Sequence, residues 1–143
     1  MEWVKKLSGS IIGLDTAPLI YFVEERAKYL PLVDPFFEAV ERGEIEVVTS
    51  TLTLTEVLVH PFRQGNRIIA ERYSRILLNS KNLKTVPATA EVATEAAQIR
   101  ATHGLKAPDA LQIATARLAN ATAFLTNDDR FASIPGHGDR PSR

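Results

Sequence analysis

Four carboxylates carry the chemistry that this sequence can do. Asp15 follows the apolar run SIIGL, and Glu56 lies inside TLTLTEVLV. Asp109 follows Pro108, and Asp128 comes just after the apolar run TAFLT. The residues around each acid are apolar or small: IIGLDTAPLI, TLTLTEVLV, APDALQIATA and AFLTND. An acid in such surroundings is costly to bury unless it is paired, protonated or bound to a metal. Several carboxylates held close together repel one another, and a divalent cation removes that repulsion. The same cation lowers the pKa of a bound water and steadies the charge that builds on a phosphate under attack. Such a cluster suits metal-assisted phosphoryl chemistry, with no histidine needed as a base.

Composition narrows the metal. The 143 residues include no cysteine, which excludes disulfides, thiol catalysis, iron–sulfur clusters and cysteine-based zinc sites. His60, His103 and His137 stand far apart, with no HxH or HExxH spacing. Oxygen ligands are what remain, and they favour Mg²⁺ or Mn²⁺. The 45% hydrophobic and 24% charged content is that of a globular chain. No apolar run approaches the roughly 20 residues of a spanning helix, and MEWVKKLSGSIIGL lacks the apolar stretch of a secretory signal. No membrane association and a cytoplasmic location are therefore expected. The net charge is zero but unevenly spread: residues 1–60 hold ten acids and five bases, residues 61–143 seven acids and twelve bases. Arg63, Arg67, Arg72 and Arg75 lie in the basic part. They suit RNA phosphates, and they equally suit a solvated helix face.

For four scattered acids to meet, the elements carrying them must end at one edge. Residues 10–14 read as a short buried strand. Leu19, Ile20, Phe22 and Val23 give a short helix closed off near Pro31. Asp34-Pro35 reads as a helix start, with Phe36, Phe37 and Val40 inward and Gly43 at the end. Residues 45–49 read as a second strand, and a helix over 52–59 is predicted to break at Pro61. An amphipathic helix spans 67–78, with Ile69, Tyr73, Ile76 and Leu77 on one face. A strand follows over 83–87. Thr89 caps a helix over 90–103, with Val92, Ala96 and Ile99 inward and Gly104 at its end. Pro108 opens another helix, and residues 122–126 form a late strand. Strands alternating with helices argue for a parallel sheet covered on both faces. Ligands of such sheets bind at the carboxyl ends of the strands, where all four acids fall. Each acid also has a plainer reading. Asp15 caps the next helix, Asp109 suits a helix dipole, and Asp128 is a turn residue. Glu56 has no evident solvent face.

Taken in order, these segments resemble the motifs of the PIN-domain nucleases, and most of all the VapC-type toxins of bacterial toxin–antitoxin pairs. GLDTAPLIYFVE is similar to the first motif, with Asp15 as its acid and Thr16 beside it. TSTLTLTEVLVHP is similar to the second, with Glu56. GLKAPDALQIATA is similar to the third, with Asp109. FLTNDDRF is similar to the fourth, with Thr126 and Asp128, while the neighbouring Asp129 reads either as a further ligand or, more in keeping with the DDRF turn, as an exposed turn cap. The resemblance implies an α/β fold: a PIN-like three-layer α/β/α domain with a central, mainly parallel sheet. It spans 1–132, with 133–143 as a frayed tail. The resemblance also implies Asp15, Glu56, Asp109 and Asp128 as catalytic and metal-binding residues for Mg²⁺ or Mn²⁺, with Thr16 and Thr126 in support. The implied activity is that of an endoribonuclease, the toxin of a toxin–antitoxin pair. Its partners would be an RNA substrate, a small antitoxin protein and a second copy in a homodimer. The sequence departs from the family after the fourth motif, because IPGHGDRPSR lacks the apolar residues of a final edge strand.

Two other classes compete. A non-catalytic PIN-like module binding RNA or protein predicts loss of an acid, yet all four are present. A Mg²⁺-dependent phosphatase of the haloacid-dehalogenase type needs Asp-x-Asp after its first strand, and here the residues are Asp15-Thr16-Ala17. A receiver-type phosphoacceptor domain places its acid pair early, whereas here the pair comes late.

Overall fold

Period-two alternation in the strands decides the layering. The computed structural model describes residues 2–126 and the backbone of residues 131 and 132. In β1 (Ile11–Leu14), Ile12 and Leu14 join the larger apolar core, while Ile11 packs with a second cluster on the opposite face. β2 (Glu46–Ser50) repeats this, with Val47 on the first face and Val48 on the second. β4 (Ala123–Leu125) does the same with Leu125 and Phe124. Together with β3 (Leu83–Val86) and the two-residue β5 (Phe131–Ala132) they form a sheet of order β3-β2-β1-β4-β5. The first four strands run parallel, and β5 pairs antiparallel with β4.

Helices cover both faces. On the first lie α1 (Glu2–Lys5), α2 (Thr16–Val23), α3 (Leu30–Glu41), α4 (Thr51–Gln64) and α5 (Arg67–Asn79). On the second lie α6 (Ala90–His103) and α7 (Ala107–Leu118), with α7 against β1 and β2 and α6 packed on α7. This is the three-layer α/β/α architecture expected from the sequence. Close approach of α7 depends on Gly13: a Cβ there would stand 2.6 Å from the Ala116 Cβ and 2.7 Å from the Phe124 ring.

Several boundaries differ from those expected. α2 ends at Val23, and Pro31 begins the next helix rather than ending this one. α3 starts at Leu30, not at Asp34. Pro31 stands in its first turn, where a missing N–H costs nothing. The Tyr29 carbonyl already accepts from Leu32 N at 2.9 Å and Val33 N at 3.1 Å, so the turn exists before Asp34. α4 runs through Pro61 to Gln64, because that ring is buried on the same helix face as Thr53 and Val57. It stops at Gly65, whose φ of 66° is left-handed. The unexpected α1 is seated by buried Val4 and by Trp3, stacked on Phe36 at 6.1 Å. Thr89 and Gly104 bound α6 where the sequence placed them. The segment read as a tail, 133–143, lies outside the described residues. Among the described residues, no helix is long and apolar enough to cross a membrane.

Candidate active site

Parallel strands deliver their following residues to one rim. Asp15 comes directly after β1 and Thr126 directly after β4, and these strands are neighbours with Leu14 opposite Leu125. The Asp15 amide donates to the Leu125 carbonyl at 3.0 Å, which fixes the two strand ends together. The Asp15 carboxylate also caps α2, accepting from the Thr16 amide at 2.8 Å in extended backbone. The capping role read from the sequence is therefore real, and it holds the half-buried carboxylate at the rim.

Thr16 makes the next link. Its hydroxyl donates to Glu56 Oε1 at 2.6 Å, joining the first residue of α2 to α4. Asp15 and Glu56, forty-one positions apart in the chain, are thus held on either side of one threonine. Glu56 is exposed, contrary to the expectation that it lacks a solvent face. The helix buries Thr53, Val57 and Pro61, and that phase turns Glu56 outward however apolar its neighbours are.

Asp109 occupies the third position of α7, exposed and in the first turn, where the helix dipole favours an acid. Gln112, one turn on, donates through Nε2 to the hydroxyl of Thr53, one turn before Glu56. The helices bearing Asp109 and Glu56 are therefore bonded next to their acids. Asp128, with its neighbours Asn127 and Asp129, lies outside the described residues. Half-buried Thr126 is the last described residue before them. Among the described residues, no three His, Cys, Asp or Glu side chains stand close enough to hold a metal ion. What the structure joins directly is Asp15, Thr16 and Glu56, with Asp109 at the start of the adjoining helix.

The donor set suits a hard divalent cation. It consists of carboxylates and threonine hydroxyls, with no thiol in the chain. Of the basic residues, Arg63, Arg67 and Arg75 are exposed on α4 and α5. Arg72 is half-buried, and its guanidinium lies 3.9 Å from the Glu25 carboxylate.

Sequence reasoning passed over a buried polar chain beneath the rim, made of Thr49, Thr53 and Gln112. The available signal was a polar residue at each core-facing position: Thr49 in phase with Val47, and Thr53 four before Val57.

Residues 12–136 match the PIN domain family. No curated protein matches the chain. Among solved structures, Mycobacterium tuberculosis VapC20, described as a sarcin–ricin loop cleaving toxin, superposes with a TM-score of 0.66 at 17% identity, over 84% of this chain and 92% of that one. VapBC2 from Rickettsia felis, bound to a fragment of promoter DNA, gives 0.61 at 18% identity, over 82% and 87%. A toxin–antitoxin complex from Klebsiella pneumoniae gives 0.58 at 23% identity, over 89% and 94%. At these identities the likeness is one of fold.

Proposed function

The chain belongs to the PIN domain family, and from that membership we propose that it is a Mg²⁺- or Mn²⁺-dependent endoribonuclease, the toxin of a toxin–antitoxin pair. One observation carries the reading: Thr16 ties Glu56 to the capping residue Asp15 at the carboxyl rim of the sheet. Asp15, Glu56, Asp109 and Asp128 are the residues that would hold the metal. When bound, the cation supplies charge neutralisation at the phosphate and a more acidic water. The chain's own contribution is placement. The cap holds Asp15, the Thr16 hydroxyl orients Glu56, and α7 presents Asp109 from its positive end. Thr126 extends the rim beside Asp15. Exposed Arg63, Arg67 and Arg75 suit the phosphates of an RNA strand, with Arg72 held back by Glu25. Two of the solved structures similar in fold are toxin–antitoxin assemblies, which supports a small antitoxin as partner. A homodimer working in the cytoplasm completes the proposal.

The test is cleavage. The purified protein is incubated with mixed RNA in Mg²⁺, in Mn²⁺ and in excess EDTA, beside an Asp15→Asn variant. Fragments should form with metal and be absent in EDTA and in the variant. Cleavage that persists in EDTA or survives in Asp15→Asn would overturn the assignment. RNA bound and left intact in every condition would identify a non-catalytic binding module instead.

A further inference from the structure

Beneath the carboxyl rim runs a line of side chains whose hydrogen-bond direction is determined. The Thr49 hydroxyl donates to the Leu14 carbonyl at 3.0 Å. A carbonyl only accepts, so that bond uses the single Thr49 proton. Thr49 and Thr53 hydroxyls lie 2.8 Å apart, and Thr53 must therefore be the donor between them. Gln112 Nε2 donates to Thr53 in turn. Every donor points the same way, from Gln112 through Thr53 and Thr49 to the backbone of Leu14. Aligned bonds of this kind polarise one another in a low dielectric.

The line connects the three elements that carry the described acids. Leu14 is the residue before Asp15. Thr53 is one turn before Glu56 on α4, and Gln112 is one turn after Asp109 on α7. The β1–β2 ladder stops at Gly13 opposite Val48, so Thr49 serves a carbonyl that the ladder no longer reaches. Thr53 is 0%, Thr49 1% and Gln112 3% exposed. Among the described residues, nothing hydrogen-bonds to the buried Gln112 Oε1. A glutamine kept for packing alone is disfavoured at such a place, where an apolar side chain avoids the loss. Its neighbours along α7 show the alternative, since Ala110, Ala114 and Ala116 are all buried there.

We propose that Gln112, acting through Thr53 and Thr49, is a positioning residue that sets the spacing of Asp15, Glu56 and Asp109 for metal binding. This rests on the nuclease reading above. Breaking the line leaves the acids in place and loosens their mutual geometry. The consequence falls on metal affinity and turnover rather than on RNA binding.

Thr53→Val keeps the shape and removes the hydroxyl, whereas Thr53→Ser keeps the hydroxyl and removes a methyl. Gln112→Met breaks the end of the line and discards the unpartnered oxygen as well. Cleavage is followed as a function of Mn²⁺ and of RNA concentration. Circular dichroism melts without and with Mn²⁺ give each variant's folded range and its metal-induced rise in melting temperature. That rise should shrink in Thr53→Val and Gln112→Met and recover in Thr53→Ser. Thr53→Val and Gln112→Met should raise the half-saturating Mn²⁺ concentration and lower kcat, each by about tenfold or more, with KM for RNA unchanged. Thr53→Ser should restore most of the activity. If Thr53→Val does not fold, Gln112→Met decides. A packing role predicts the reverse order, with Thr53→Ser worse than Thr53→Val. That order, or unchanged Mn²⁺ dependence in folded Gln112→Met, would overturn the positioning role and leave the nuclease reading intact. Wild-type protein that never cleaves RNA would remove both.

Discussion

At the scale of single residues, Asp15 does two jobs that one substitution separates. Its carboxylate caps α2 and stands at the rim of the candidate site. Asparagine caps a helix about as well as aspartate. Asp15→Asn should therefore leave apo stability within about 0.5 kcal/mol of wild type, by thermal melt, while cutting cleavage by about 100-fold or more. Thr16→Val makes a milder test. It keeps the shape and deletes the donor to Glu56, so cleavage should fall about tenfold. Stability should change by less than about 1 kcal/mol, because this bond is exposed. Cleavage at the wild-type rate would remove Thr16 from its orienting role. The places of two acids were legible: Asp15 follows an apolar strand and caps the next helix, and Asp109 follows Pro108 in the first turn of another. The outward turn of Glu56 was not. LTLTEVLV is apolar almost throughout, and only helical phase, set by Thr53, Val57 and Pro61, shows which side faces solvent.

At the scale of elements, one contact seats a helix layer on the sheet and another ties two helices within a layer. The first is the seat of α7 on Gly13. Gly13→Ala places a methyl 2.6 Å from Ala116 and should destabilise the fold by about 1–3 kcal/mol, read by urea titration. An unchanged midpoint would mean that α7 can retreat without loss. The second joins α5 to the turn after α2, where the Tyr73 hydroxyl donates to the Glu24 carboxylate. Burial, with the Glu24 hydrogen bond adding to it, pushes the Tyr73 phenol well above its ordinary pKa of 10.0. The folded state thus holds that proton more tightly than the unfolded chain. Its contribution is full below about pH 10 and is lost as the pH rises beyond that value. Tyr73→Phe should cost about 1.5–3 kcal/mol at pH 7 and should flatten the alkaline limb of the melt. An alkaline limb as steep as wild type would show that Tyr73 does not set it. Of the boundaries, α6 was legible because Thr89 and Gly104 are unambiguous signals. Pro31 and Pro61 misled, because a proline in a first turn or with a buried ring is compatible with a continuous helix.

At the scale of the whole molecule, the alternation of strands and helices announced a covered parallel sheet, but not its order. Period two identifies a strand and says nothing about its neighbour. The placement of β1 between β2 and β4, which brings Asp15 beside Thr126, emerges only from the fold. Apolar surface is also left outside: Phe62 is 67% and Ile68 73% exposed around the α4–α5 junction. We expect a symmetric homodimer, with twice the monomer mass by light scattering, weakened by Phe62→Asp together with Ile68→Asp. A monomer at high concentration would contradict it. The central claim is that acids from separate elements act as one divalent-metal site. Thermal melts across a Mn²⁺ titration, for wild type, Asp15→Asn, Glu56→Gln and Asp109→Asn, test it most directly. A cation bound only by the folded state stabilises wild type by about 2.7 kcal/mol at about a hundredfold excess over Kd. The wild-type melting temperature should climb with Mn²⁺, and each variant should climb distinctly less. Equal rises in all four proteins, or no rise in wild type, would contradict a shared metal site.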